Sequence, residues 1–240
     1  MIYHEPGELV GVGVGPGVAN LVTLAAIEAL ETSQIVVAPC TDLDTPGRAE
    51  TTVRGLLPDI SIERLAIPMG SDPTGAYQKG CQKISTWLDL GHKVSFITLG
   101  DPNIYSTFSS ISTHLLEIRP NSNITTVPGI MAFQYLAAKT NTVLVDGNER
   151  LSLVTALDQI DNVRDCLERA DECVVVYKGG KHFGEITNVL EEVAPRSLVV
   201  VGELLGLEEE SIESSLPIQP RPYNYLSTMI ISHPTKAKIL

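Results

Sequence analysis

The chain has 240 residues, 43% of them hydrophobic, and a formal net charge of −12. That length holds one large domain or two small ones, and the apolar content excludes wholesale disorder. The acidic balance argues against nucleic-acid binding, which needs clustered Lys and Arg, but leaves room for a local basic cleft. In chain order, Glu8–Val14 reads as a buried strand ending in glycines. Leu21–Glu31 reads as a helix, with Leu24, Ile27 and Leu30 at helical spacing and Asn20 as its N-cap. Strands are expected at Ile35–Pro39 and at Ile60–Ile67, the latter ending at Pro68. A helix over Gly75–Leu90 stops at Gly91. Val94–Thr98 is a strand, Phe108–Ile118 a helix stopped before Pro120, Ile124–Val127 a strand and Met131–Thr140 a helix. After a polar loop at Asn141–Arg150 come strands at Leu151–Val154, Cys173–Tyr177, Leu198–Val201 and Tyr225–Ser232. Helices at Val163–Ala170 and Ile186–Val193 lie between them, and the prolines of Pro217–Pro222 mark a loop or sheet edge. The alternation defines an α/β architecture, with two domains expected at 1–140 and 141–240.

Cys40, Cys81, Cys166 and Cys173 form no Cys-x-x-Cys pair, and no His stands beside them at zinc-ligand spacing. They read as reduced cysteines of a cytoplasmic protein, with no protein-bound metal. His4, His92, His114, His182 and His233 show no ligand spacing either. No apolar run approaches the roughly 18 residues of a membrane span. The start of the chain lacks the basic and apolar regions of a signal peptide.

Two turns carry the chemistry. Thr98-Leu99-Gly100-Asp101-Pro102 closes a strand just before a helix, and ligands of open α/β sheets bind at the carboxyl ends of strands. Gly11-Val12-Gly13-Val14-Gly15-Pro16-Gly17 suggests a dinucleotide loop, but its spacing refuses one. Counting from Gly11 the third glycine of Gly-x-Gly-x-x-Gly falls on Pro16, and from Gly13 it falls on Val18. No Gly-Lys-Ser/Thr follows, so a Walker loop is excluded as well. The run of small residues points instead to a ligand approaching the backbone.

Three segments in this order resemble the signatures of the tetrapyrrole methylase family: Gly11–Gly17 with Leu21-Val22-Thr23-Leu24, Gly100–Pro102, and Val127-Pro128-Gly129-Ile130. Tyr105-Ser106-Thr107 after the Gly-Asp-Pro turn is most similar to the precorrin-2 and cobalt-factor II C(20)-methyltransferases. Arg48-Ala49-Glu50-Thr51, Ile67-Pro68-Met69 before Tyr77, Leu205–Glu210 and Pro222-Tyr223 fit the same subgroup. Val18 stands where the family has an acid, and Tyr177 where it has a Met.

The resemblance implies two α/β domains with a cleft between them for cofactor and substrate, in a homodimer without nucleic-acid or membrane partners. It implies methyl transfer from S-adenosylmethionine to C-20 of a tetrapyrrole in cobalamin biosynthesis. Pro16, Leu99, Gly100, Asp101, Ile104, Met131, Ala132, Tyr177, Lys178 and Thr228 would form the cofactor pocket. Tyr105, Ser106 and Arg48 would reach the macrocycle, Tyr105 being the candidate for proton transfer and Arg48 and Lys181 the candidates for its carboxylates. His182, beside Gly179-Gly180, reads as a surface residue. Two alternatives stay open: a family member acting at another tetrapyrrole carbon, and a homologue that binds without catalysis.

Overall fold

A computed structural model describes residues 7–67, 74–157, 160–169, 172–214 and 223–232. Pro68, Met69, the Pro217–Pro222 loop, His4 and His233 lie outside the described residues. The chain divides into two compact units, Met1–Met131 and Ala132–Leu240.

In the first unit, β1 (Glu8–Gly13), β2 (Ile35–Cys40), β3 (Ile62–Ala66), β4 (Lys93–Thr98) and β5 (Asn123–Val127) form a parallel sheet in the order β3-β2-β4-β1-β5. Successive strand residues face opposite sides, so each face collects its own core. Val10, Val12, Val36, Ala38 and Ile97 pack against α1 (Leu24–Glu31) and α2 (Arg48–Arg54) through Ala26, Ala29, Leu30, Ala49 and Val53. Leu9, Val37, Val94 and Phe96 pack against α3 (Thr74–Asp89) and α4 (Thr107–Ile118) through Cys81, Ile84, Leu88, Phe108, Ile111 and Leu115. The chain leaves β1 through α1 on one face toward β2, and leaves β4 through α4 on the other face toward β5. The topological switch point therefore falls between β1 and β4, where open α/β sheets bind ligands.

The second unit contains α5 (Ala132–Lys139), β6 (Arg150–Thr155), α6 (Asp161–Leu167), β7 (Glu172–Tyr177), α7 (Phe183–Val193), β8 (Leu198–Glu203), β9 (Ser211–Ser214) and β10 (Ser227–Ser232). Its mixed sheet runs β6-β7-β10-β8-β9, with β6 and β7 parallel and β10 antiparallel to both β7 and β8. One face, Val174, Val176, Val199, Val201, Met229 and Ile231, packs on α6 and α7. The division at Met131 lies upstream of the boundary expected at 140. The reason is α5, whose Leu136 is fully buried and reaches the backbone of Gly202 on β8. The helix therefore belongs to the second sheet.

Several local expectations are corrected. Asn20 is exposed and sits in a single 3-10 turn, Ala19–Leu21. The cap of α1 is Thr23, whose hydroxyl accepts from the Ala26 N–H at 3.1 Å. Leu24 is 85% exposed, so the inward face of α1 is Ala26, Ala29 and Leu30 rather than the expected Leu24 stripe. Helix α2 and strand β9 were not expected. The first has mostly polar residues in seven positions, and the second is a four-residue strand that, among the described residues, pairs with β8 alone.

Candidate functional site

Because β4, β1 and β5 are parallel neighbours, their carboxyl ends open on one edge of the first sheet. The pairing continues beyond the strands. Val14 N–H donates to the Thr98 carbonyl at 2.9 Å, and Gly100 N–H donates to the Gly15 carbonyl at 2.9 Å. Three loops then meet backbone to backbone. A Cβ on Gly13 would stand 2.5 Å from the Gly100 oxygen and 2.6 Å from the Gly129 nitrogen, and a Cβ on Gly129 would overlap the same Gly100 carbonyl. Any side chain at either position would force the loops apart. The neighbour that demands glycine at position 13 is therefore the chain's own backbone, not an approaching ligand as the run of small residues had suggested.

Gly100 has φ 68. A Cβ there would touch only Met131, at the ordinary contact distance of 3.9 Å, although Gly100 itself is buried. Asp101 fastens the turn from below. Its Oδ1 accepts from Asn103 N–H at 2.9 Å and its Oδ2 from Gly129 N–H at 3.2 Å. Asn103 donates its amide to Thr126 Oγ1 at 3.2 Å, a second tie to β5. The structure thus gathers the Pro16 turn, Leu99, Gly100, Asp101 and Met131 at one strand-end edge. Pro16 and Met131 are buried, Leu99 and Ile104 partly so.

Tyr105 follows in the left-handed region at φ 49 and is 49% exposed. A bulky side chain held at positive φ is a strained one. The Ser106 hydroxyl caps α4 by accepting from Phe108 N–H at 3.0 Å and donates to Thr98 Oγ1 at 3.1 Å. Its geometry is that of a cap, which the sequence reading had not assigned to it. Arg48 opens α2 after β2, the strand beside β4.

Behind Arg48 lies a carboxylate that sequence reasoning did not single out for chemistry. Glu50 is fully buried and accepts from Arg54 Nε at 2.9 Å and from Arg64 Nε and Nη2 at 2.7 and 2.9 Å. The Arg64 guanidinium, with help from Arg54 and against the effect of burial, holds the Glu50 carboxyl below its ordinary range. Arg64 also donates to the Leu43 carbonyl at 2.8 Å, which anchors the loop leading into α2. The only sequence signal was the i,i+4 spacing of Glu50 and Arg54.

In the second unit, Tyr177 ends β7 directly opposite Thr228 of β10, and Lys178 N–H donates to the Ser227 carbonyl at 3.4 Å. The structure thus brings Tyr177, Lys178 and Thr228 to one end of that strand pair. The Tyr177 hydroxyl accepts from Phe133 N–H at 3.3 Å, beside Ala132 at the start of α5. Lys181 is exposed. His182 places Nδ1 3.0 Å from Glu185 Oε1 and Nε2 3.3 Å from the Leu157 carbonyl. The Glu185 carboxylate raises its pKa above the ordinary histidine value. The Leu205–Glu210 run closes a loop: Gly206 N–H donates to Glu210 Oε2 at 2.8 Å, and Lys139 lies 3.4 Å from that carboxylate.

All four cysteines are buried thiols outside any disulfide, and burial pushes the Cys81 thiol up to about 11. Among the described residues, no helix is long and apolar enough to cross a membrane. Nor does any group of three or more His, Cys, Asp or Glu side chains stand where it could hold a metal ion.

A parallel α/β sheet with interlocked glycine turns at its switch point belongs to the class of open α/β sheets, whose ligands bind at strand ends. The family model of the Tetrapyrrole (Corrin/Porphyrin) Methylases matches residues 8–217, and the chain belongs to that family. The "Cobalamin biosynthesis protein CobIJ" of Mycobacterium tuberculosis (strain ATCC 25618 / H37Rv) is 30% identical over 219 residues, which is 85% of this chain and 41% of that protein. The chain thus spans about two fifths of the length of that relative. The "Cobalt-precorrin-2 C(20)-methyltransferase" of Salmonella typhimurium is 23% identical over 241 residues, covering 94% of this chain and 96% of the relative. The crystal structure of a "cobalt precorrin-4 methyltransferase, CbiF" shares the fold with a TM-score of 0.71 at 14% identity, covering 94% of each chain.

Proposed function

We propose that the chain transfers a methyl group from S-adenosylmethionine to C-20 of precorrin-2 or cobalt-factor II, in cobalamin biosynthesis. The observation that carries this reading is the backbone meeting of Gly13, Gly100 and Gly129, which brings the three family signatures together at one strand-end edge. Its support comes from full-length similarity to a relative named for C-20 methylation. The residues fit a nucleoside with an amino-acid tail. Leu99 and Ile104 are partly exposed apolar side chains beside the turn, and the turn itself carries backbone polar groups. S-adenosylmethionine brings the methyl group already activated on a sulfonium.

The protein's own task is then positioning. Holding donor and acceptor carbon in line contributes roughly 7–11 kcal/mol, and the braced Gly100–Asp101 turn suits that work. Tyr177, Lys178, Thr228 and Ala132 are proposed to join the cofactor site. Arg48, Tyr105 and Ser106 are proposed to meet the macrocycle, with Tyr105 as a proton carrier. A homodimer and a cytoplasmic location belong to the same reading.

The test is incubation with S-adenosylmethionine and either metal-free precorrin-2 or cobalt-factor II, followed by mass spectrometry and NMR. A gain of one methyl at C-20 is the expected result. Methylation at another carbon would select the sister activity. Binding of S-adenosylhomocysteine without turnover on either substrate would select a binding-only homologue.

A further inference from the structure

Strands β2 and β4 run side by side for only part of their length. Their pairing ends at Val37 and Phe96, whereas β2 stays paired with β3 as far as Cys40 and Ala66, and β4 with β1 as far as Thr98 and Gly13. The carboxyl ends of β2 and β4 therefore part, and the loop 41–47 leaves β2 on the same edge of the sheet as the Leu99–Gly100 turn. This loop is pinned twice. A Cβ on Gly47 would lie 2.4 Å from the Pro39 carbonyl oxygen, so the loop folds back on the end of its own strand. Between those points Arg64 Nη1 donates to the Leu43 carbonyl at 2.8 Å, while its Nε and Nη2 hold both oxygens of buried Glu50. One guanidinium on β3 thus joins a surface turn to a buried carboxylate on α2. The Leu43 side chain is nonetheless 55% exposed.

Fixing a polar loop costs conformational entropy, and burying Glu50 costs desolvation. Together they hold a surface leucine in one place beside a strand-end site, where a preorganised apolar side chain suits a ligand contact. We propose that Leu43 borders the ring system of the substrate and that Arg64 is the positioning residue that holds it there. This rests on the methyltransferase reading, which brings a tetrapyrrole to this edge. Asp42 and Asp44 flank Leu43 and are exposed. They repel carboxylates, so the turn suits the apolar rings and leaves the acid side chains of the substrate to Arg48.

The experiment is steady-state methyl transfer to whichever tetrapyrrole the wild type methylates, beside binding of S-adenosylhomocysteine and thermal unfolding. Leu43→Ala changes an exposed side chain and leaves the core alone. Arg64→Lys keeps a positive charge for Glu50, but a single ammonium cannot hold that carboxylate and reach the Leu43 carbonyl in the manner of the guanidinium fork. Arg54→Lys disturbs the same carboxylate and is the control, since Arg54 otherwise reaches the Pro58 and Ile60 carbonyls before the amino end of β3. Leu43→Ala and Arg64→Lys should each raise the KM for the tetrapyrrole about tenfold at unchanged S-adenosylhomocysteine affinity. Arg54→Lys should lower the melting temperature without moving that KM. An unchanged KM in Leu43→Ala overturns the contact and with it the role of Arg64, even where Arg64→Lys fails to fold. An equal rise in KM for the two arginine variants overturns the positioning role and leaves the Glu50 network a stabilising one. A wild-type protein that methylates neither precorrin-2 nor cobalt-factor II overturns this proposal together with the methyltransferase reading.

Discussion

Asp101 Oδ2 accepts the backbone N–H of Gly129 at 3.2 Å, joining the turn after β4 to the turn after β5. The same carboxylate holds Asn103 N–H through Oδ1. An acid that the resemblance places against the cofactor is therefore also a brace between two strand ends. A carboxylate suits this because it is acceptor-only and can meet two donors at once.

Asp101→Asn sets an amide NH2 against one of those N–H groups. The expected loss is about 1–2 kcal/mol of stability, read as a lower urea midpoint at unchanged slope. Under the proposed function, affinity for S-adenosylhomocysteine falls as well. Unchanged values of both would remove Asp101 from brace and pocket alike.

Gly13→Ala should be more damaging than its size suggests. The new methyl would sit against the Gly100 carbonyl and the Gly129 nitrogen, both backbone atoms without rotamers to yield. Overpacking of this kind costs about 1–3 kcal/mol or more. For a chain of this size each kcal/mol lowers the melting temperature by roughly 2–4 °C. Gly75→Ala, which meets nothing within 4 Å, is the control.

Glu50→Ala leaves Arg54 and Arg64 without their buried acceptor. Because both arginines reach solvent, with side chains 40% and 27% exposed, the loss is about 1–3 kcal/mol. The folded-state pKa of Glu50 is lowered. Its contribution is therefore present above the unfolded value of about 4.3 and is lost as pH falls through the folded value. Acid unfolding followed by circular dichroism should begin at higher pH in the variant.

His182 carries the opposite sign. Both ring nitrogens face acceptors, Glu185 Oε1 and the Leu157 carbonyl, so only the imidazolium satisfies both. Its folded pKa is raised. The stabilisation is fully present below the unfolded value of about 6.5 and fades as pH rises through the folded value. His182→Gln should flatten the pH dependence of the urea midpoint above that point, and NMR titration of the ring should give a pKa above that of a free histidine.

The alternation of strands and helices was legible in the residues, because side-chain periodicity and glycine or proline stops are local properties. So were the three signature turns and, through their order, the family. The sequence pattern missed α2 and β9, since a seven-residue polar helix and a four-residue strand carry too little pattern to stand out. Leu24 misled it, because helical spacing says which residues share a face but not which face turns inward. Only the folded chain shows that Gly13, Gly100 and Gly129 interlock and that Glu50 is the acceptor of two arginines. The physical reason is distance along the chain. Positions 13, 100 and 129 meet only because strands β4, β1 and β5 are parallel neighbours.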